Sequence, residues 1–351
     1  MAGTVLTEKF RKAGARISEY RGAETAAAFS EVTAEFAALR SGCGVFDMGW
    51  RSKLLLTGAD RQKWLNGMVT NNLRDLAAGH GTYNFLLNAQ GHILGDMYLY
   101  NRGDYILLDT DAEQAGKLRQ ALEHFIIMDD VEIADASDKL TAIGLQGPKA
   151  SQVLSAAGIS APPLEPLQVH DTTWQNLGIT IVATEFGGFE VWLASGNAAT
   201  LWDALAAAGA TPAGTDAYEL WRIAQGIPRY GHDIRERDLP QETGQTRALN
   251  FTKGCYVGQE IVERIRSRGA VHRQFSGFEI EGPPPTAGAK LQTGGKDVGE
   301  LTSVVTLPGD RTIALGYIRR EVTAADSRLT AGATQVRITE LPFAIDPVLK
   351  N

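Results

Sequence analysis

Between His92 and Tyr100 the chain alternates so regularly that a half-buried β-strand is the structure it best fits. Ile93, Gly95, Met97 and Leu99 fall on one face, and Leu94, Asp96, Tyr98 and Tyr100 on the other. Asn101-Arg102-Gly103-Asp104 then supplies turn residues and Tyr105 to Leu108 returns, which predicts an antiparallel hairpin. A chain built on hairpins interleaved with helices belongs to the α+β class and not to the doubly wound sheets.

Other elements follow the same logic. Phe29, Val32, Phe36 and Leu39 recur at helical spacing and predict a helix from Glu24 to Arg40, closed by Gly42 and Gly44. Ser52 to Thr57 and Tyr83 to Leu87 read as short strands. Leu118, Leu122 and Phe125 mark a helix near 111–126. Strands are expected near 131–134, 140–145, 179–183 and 189–193, with helices after Pro148 and near 197–208 and 216–225. Pro283-Pro284-Pro285 is a stiff break. The short strands after it, at 301–307, 312–318 and 335–339, predict a small β-barrel-like domain over 272–351, leaving 1–271 as the larger region of two α+β lobes.

Composition narrows the function classes. A net charge of −7 argues against a dedicated nucleic-acid binder. Two cysteines, Cys43 and Cys255, are too few for a disulfide framework, so a reducing, cytoplasmic setting is expected. No apolar run reaches membrane-spanning length. The six histidines lack ligand spacing and no CxxC occurs, so no resident metal is expected. Two thiolates are also too few for the four that normally hold an iron–sulfur cluster. Residues 229–273 carry an excess of three positive charges, in a chain whose remainder is −10. Such a cationic surface suits a polyanionic ligand tail, a single-stranded RNA or a partner protein, and it can equally be a solvated loop.

The segment with most chemical content is Lys253-Gly254-Cys255-Tyr256-Val257-Gly258-Gln259-Glu260. Its two glycines bracket a tight loop, and Gln259-Glu260 opens a helix. Cys255 stands beside Lys253, with Arg264, Arg266 and Arg268 downstream; neighbouring cations favour a reactive thiolate, while a free cysteine can equally be one more small core residue.

This octapeptide resembles the KGCYxGQE signature of the YgfZ family of folate-binding proteins. Thr82-Tyr83-Asn84, Leu86-Leu87-Asn88 and Gly91 to Asp96 are similar to the first folate segment of the glycine-cleavage T-proteins (aminomethyltransferases). Gly188-Phe189-Glu190-Val191 is similar to their second, and Leu220 to Ile227, with Arg222, to their third. The resemblance covers roughly residues 40–340. It implies a three-lobed fold, a tetrahydrofolate cofactor (or a one-carbon-substituted form) and a monomer. It also implies an accessory role in the assembly or repair of iron–sulfur enzymes, whose clients or assembly proteins would be partners.

In that comparison Glu190 takes the place of the carboxylate that accepts the pterin's paired N–H donors. Asp96 lies near the folate nitrogens that carry the one-carbon unit. Tyr83 packs on a ring, Arg222 pairs with a carboxylate or with ring acceptors, and Cys255 is the working thiol. Plainer readings stand beside these: Glu190 as an exposed strand glutamate, Asp96 at a strand edge, Tyr83 as a core tyrosine. The alternative function is a tetrahydrofolate-dependent aminomethyltransferase or demethylating enzyme. The octapeptide separates the two, since it belongs to the YgfZ branch. Gly95 also stands where many T-proteins carry a second acid.

Overall fold

A computed structural model describes residues 3–269, 271–322 and 329–345, and in it the chain divides into two compact units. The first comprises residues 1–84 and 97–218, and the second residues 85–96 and 219–349.

The first unit opens with α1 (Thr7–Lys12) and the two-stranded ribbon of β1 (Arg16–Tyr20) and β2 (Ala23–Ala28), followed by α2 (Val32–Ser41), β3 (Gly44–Asp47), β4 (Arg51–Thr57) and α3 (Arg61–Asn66). The helix expected from Glu24 therefore starts eight residues late. The Ala-Glu-Thr-Ala-Ala-Ala run carries no helical contrast of its own and pairs with β1 instead. Within α2, Phe36 and Leu39 are buried as the spacing requires.

β5 (His80–Leu87), β6 (Ile93–Asn101) and β7 (Ile106–Asp111) form the central meander, followed by α4 (Ala112–Glu123) and β8 (Glu132–Asp135). These strands and β4 make a five-stranded sheet in the order β5-β6-β7-β4-β8. The alternation of β6 is as expected, with Ile93, Gly95 and Met97 buried and Leu94, Asp96 and Tyr98 half-buried. Leu118 and Leu122 bury the inner face of α4, whereas Phe125 lies beyond the helix and is exposed.

A six-stranded sheet completes the first unit, with β9 (Leu140–Gln146), α5 (Ala150–Ala156), β10 (Val169–Trp174), β11 (Leu177–Ala183), β12 (Phe189–Ala194), α6 (Ala198–Ala207) and β13 (Thr211–Pro212) in chain order; α7 (Thr215–Ala224) follows and passes into the second unit at Glu219. The strand order is β10-β11-β12-β9-β3-β13, antiparallel except at β3–β13. One face of this sheet packs into an apolar core through Val191, Leu193, Ile143, Leu145 and Ile181. By the two-residue period, Glu190 and Trp192 must point to the other face.

The second unit holds the β5–β6 turn, α8 (Gln259–Arg268) and a closed barrel of β14 (Arg273–Glu281), β15 (Lys290–Thr293), β16 (Lys296–Thr306), β17 (Thr312–Arg319), β18 (Thr330–Ala331) and β19 (Thr334–Thr339). Phe278, Leu291, Leu301, Ala314 and Ile318 fill the barrel. The expected class, mixed α+β followed by a C-terminal β-barrel, is the one observed. Among the described residues no helix is long and apolar enough to cross a membrane.

Candidate functional site

Tyr83 and Glu190 belong to the first unit, and Asp96, Arg222 and residues 253–260 to the second.

In the first unit, β12 carries Glu190 opposite Gly144 of β9 and Val182 of β11. The side chain is 8% exposed, so the plain reading of an exposed strand glutamate is excluded. Its Oε2 accepts a hydrogen bond of 2.8 Å from Nε1 of Trp192, two residues along the same face. Burial pushes the Glu190 carboxyl above its ordinary range and the neighbouring Asp109 adds to this, while Lys53, Arg51 and the Trp192 hydrogen bond pull it back.

A row of aromatic rings leads to this carboxylate. Tyr83 lies 5.0 Å from Tyr98, Tyr98 lies 6.3 Å from Tyr100, and Tyr100 meets Trp192 edge-on at 4.8 Å between centroids. Tyr83 is buried, so its ring is both a core residue and an end member of this row.

Beneath the row lies a charged cluster that the sequence reading missed. On β4, Arg51 and Lys53 share a face, and the register sets them opposite Asp111 and Asp109 of β7. Lys53 Nζ donates to Asp109 Oδ1 at 2.7 Å and stands 5.4 Å from the Trp192 ring centroid. Arg51 donates from Nε to Asp109 Oδ1 at 2.9 Å and from Nη1 to Asp111 Oδ1 at 2.7 Å, and Arg21 adds a second cation on Asp111. Asp109 Oδ2 is buried without a hydrogen-bond partner. A buried, unsatisfied carboxylate oxygen is costly and marks a place where a donor is missing.

In the second unit Arg222 is 1% exposed and wholly engaged. Nε and Nη2 donate to the two oxygens of Glu219, Nη1 to Asp233 Oδ2 and the Ile227 carbonyl, and Nη2 also to Ser303 Oγ. All five guanidinium donors are therefore used within the protein. Its carboxylate partners are the protein's own Glu219 and Asp233, and a ligand contact would require breaking one of these bonds.

The octapeptide forms the loop into α8. Gly258 has φ 81°, and a Cβ there would lie 2.5 Å from the Asn88 carbonyl oxygen, so only glycine lets this loop close on the β5–β6 turn. Tyr256 is buried, with the Lys253 ammonium 5.0 Å from its ring centroid, and Gln259 Oε1 accepts from the Tyr256 N–H at 3.3 Å. Glu260 is exposed. Cys255 is exposed too, unlike Cys43, whose burial pushes its thiol up to about 11. The reading of Cys255 as a core residue is thereby excluded. Asp96 is half-buried, between the core and strand-edge readings.

Much of the cationic excess at 229–273 is spent locally. Arg235 pairs with Glu300, Arg273 with Asp238 and Glu242, Arg229 with Glu219, and Arg266 with Glu263. Arg264 is exposed, and the side chain of Arg268 lies outside the described residues. Among the described residues no cluster of three or more His, Cys, Asp or Glu side chains converges as a metal site.

These features define a class: antiparallel α+β sheets with a C-terminal barrel and a buried carboxylate at the end of an aromatic row. Comparison with known proteins makes the class specific. Residues 6–253 match the GCVT N-terminal domain and residues 270–343 the CAF17 C-terminal β-barrel domain, and the chain belongs to the GCVT family. An aminomethyltransferase of Rubrobacter xylanophilus is 30% identical over 346 residues, covering 97% of this chain and 91% of that one. One from Thermus thermophilus is 29% identical, covering 99% and 98%. The crystal structure of glycine cleavage system aminomethyltransferase T from Bartonella henselae superposes with a TM-score of 0.87 at 23% identity over 98% of both chains, a likeness of fold.

Proposed function

We propose that the chain is a tetrahydrofolate-binding accessory protein of the YgfZ branch, supporting the assembly or repair of iron–sulfur enzymes through Cys255. The observation that carries the ligand reading is Glu190, a buried carboxylate with one hydrogen bond from the protein at the end of the Tyr83–Tyr98–Tyr100–Trp192 row. A reduced pterin offers a ring N–H and an exocyclic amino group side by side. A carboxylate accepts both in charge-assisted bonds, and flat rings gain about 0.5–1.5 kcal/mol from aromatic neighbours beyond their burial. An acceptor carboxylate beside aromatic rings therefore fits the group.

In this reading Glu190 binds and orients the ring edge, and Tyr83 packs on the rings. Asp96 holds negative charge at the nitrogens that carry the one-carbon unit. Arg222 keeps Glu219 and Asp233 in place. When bound, the folate supplies one-carbon chemistry. The exposed thiol of Cys255, on a loop closed by Gly258, is presented to an iron–sulfur client.

The second reading, a tetrahydrofolate-dependent aminomethyltransferase, is favoured by the full-length relatives of that name. The octapeptide and the CAF17-type barrel favour the accessory role. Two experiments separate them. Cys255→Ala is expected to leave tetrahydrofolate affinity unchanged while abolishing support of iron–sulfur enzymes in cells lacking the native copy; a collapse of affinity would make Cys255 structural. Methylamine- or ammonia-dependent turnover with a lipoylated carrier protein would decide for the transferase.

A further inference from the structure

Lys53 is 0% exposed and its ammonium makes one hydrogen bond, to Asp109 Oδ1. Burying an ammonium costs several kcal/mol unless nearby negative charge compensates it, and an aliphatic side chain would fill the same strand position without that cost. Asp109 Oδ1 is shared with Arg51 Nε, and Asp109 Oδ2 has no partner, so the Lys53–Asp109 pair is not a closed structural latch. The ammonium faces the Trp192 ring, and the Trp192 indole N–H is the group that holds Glu190. The geometry runs from Lys53 across Trp192 to the acceptor itself.

We propose that Lys53 is a positioning residue that keeps Glu190 in its carboxylate form, the form that accepts paired N–H donors, with Asp109 as the opposing charge. The proposal rests on the reading of Glu190 as the ring acceptor. The charged and hydrogen-bonding groups that act on Glu190 come from three strands, while its flanking partners Val182 of β11 and Gly144 of β9 carry no charge. β4 supplies Arg51 and Lys53, β7 supplies Asp109, and β12 supplies Trp192. Tyr100 of β6 and Tyr218 of α7 also feel its charge, and burial holds both phenols above their ordinary range, un-ionised. The balance on Glu190 is therefore set by two cations against one carboxylate and burial, and each can be changed singly.

The sign is fixed by linkage. Removing Lys53 deprives the carboxylate of a cation, so its protonation midpoint moves up and affinity for a paired donor is lost at neutral pH. Removing Asp109 moves the midpoint down.

The Trp192 indole 15N–H resonance, assigned with Trp192→Phe, reports the titration without any ligand. Lys53→Met is expected to raise its midpoint by about one pH unit and to weaken tetrahydrofolate binding at pH 7 by at most about tenfold, the ceiling such a shift sets, with recovery at higher pH. Lys53→Arg is expected to restore both. Asp109→Asn is expected to lower the midpoint, and it keeps the test decisive should Lys53→Met fail to fold. Midpoints unmoved in the folded variants overturn the proposal. A midpoint shifted in Lys53→Met, together with a wild-type protein that binds no tetrahydrofolate, leaves the charge device standing and removes the folate reading.

Discussion

Two buried ion clusters can be compared, one in each unit. Both carboxylate oxygens of Asp233 are fully satisfied. Oδ1 accepts from Thr302 Oγ1 at 2.5 Å and Ser303 Oγ at 2.7 Å, and Oδ2 from Arg222 Nη1 at 2.8 Å and the Arg229 N–H at 2.9 Å. Burial alone would raise that carboxyl, but Arg222 and the hydroxyl donors outweigh it and hold it below the ordinary range. Around Glu190 and Asp109 the accounts do not close. Asp109 Oδ2 is orphaned, Lys53 donates once, and burial leaves Glu190 above the ordinary range. A saturated cluster holds a fold together, and an unsaturated one is available to a ligand.

The largest effect expected from breaking this contrast is at the saturated cluster. Asp233→Ala leaves the Arg222 guanidinium without its fully buried counter-ion and is expected to cost about 3–5 kcal/mol in urea unfolding. Because the folded carboxyl titrates low, the loss is full at neutral pH and shrinks as pH falls through the acid range.

Glu190→Gln is expected to act with the opposite sign and a smaller size. Its folded carboxyl titrates above the unfolded one, so ionisation weakens the fold at neutral pH. The amide variant should unfold at higher urea at pH 7, with the gain gone below about pH 4, where the unfolded carboxyl is protonated. The smallest effect is expected at Cys255→Ser. The residue is exposed, so the unfolding midpoint should stay within about 0.5 kcal/mol of wild type. A larger loss would mean that the loop depends on the thiol.

The unsaturated cluster is also the part the sequence concealed. The alternation of β6 was legible because its inner face is apolar and its outer face mixed. The same rule assigns Arg51, Lys53, Asp109 and Asp111 to solvent, since they occupy the polar alternate positions of β4 and β7. That face is covered in the fold, which a strand-by-strand pattern does not reveal. The available signal was the pairing itself: two cations and two carboxylates at matching alternate positions of strands that lie side by side.

The Ala23–Ala28 strand was hidden for a different reason, because an alanine-rich run has too little contrast to show any period. Gly258 and the exposed Cys255 were legible as a motif, while the reason for the glycine, its approach to Asn88, needed the fold. Arg222 was legible as a functional candidate and proves to be saturated, because its partners Asp233 and Ser303 are 11 and 81 residues away in sequence.

Whether the unsaturated cluster binds the ligand is decided by calorimetric titration of tetrahydrofolate into wild type and Glu190→Ala. The account predicts a loss of about 1.5–3 kcal/mol in the variant, the worth of a charge-assisted hydrogen bond, with the protein still folded. An unchanged Kd in a folded Glu190→Ala protein would contradict it and place the folate elsewhere.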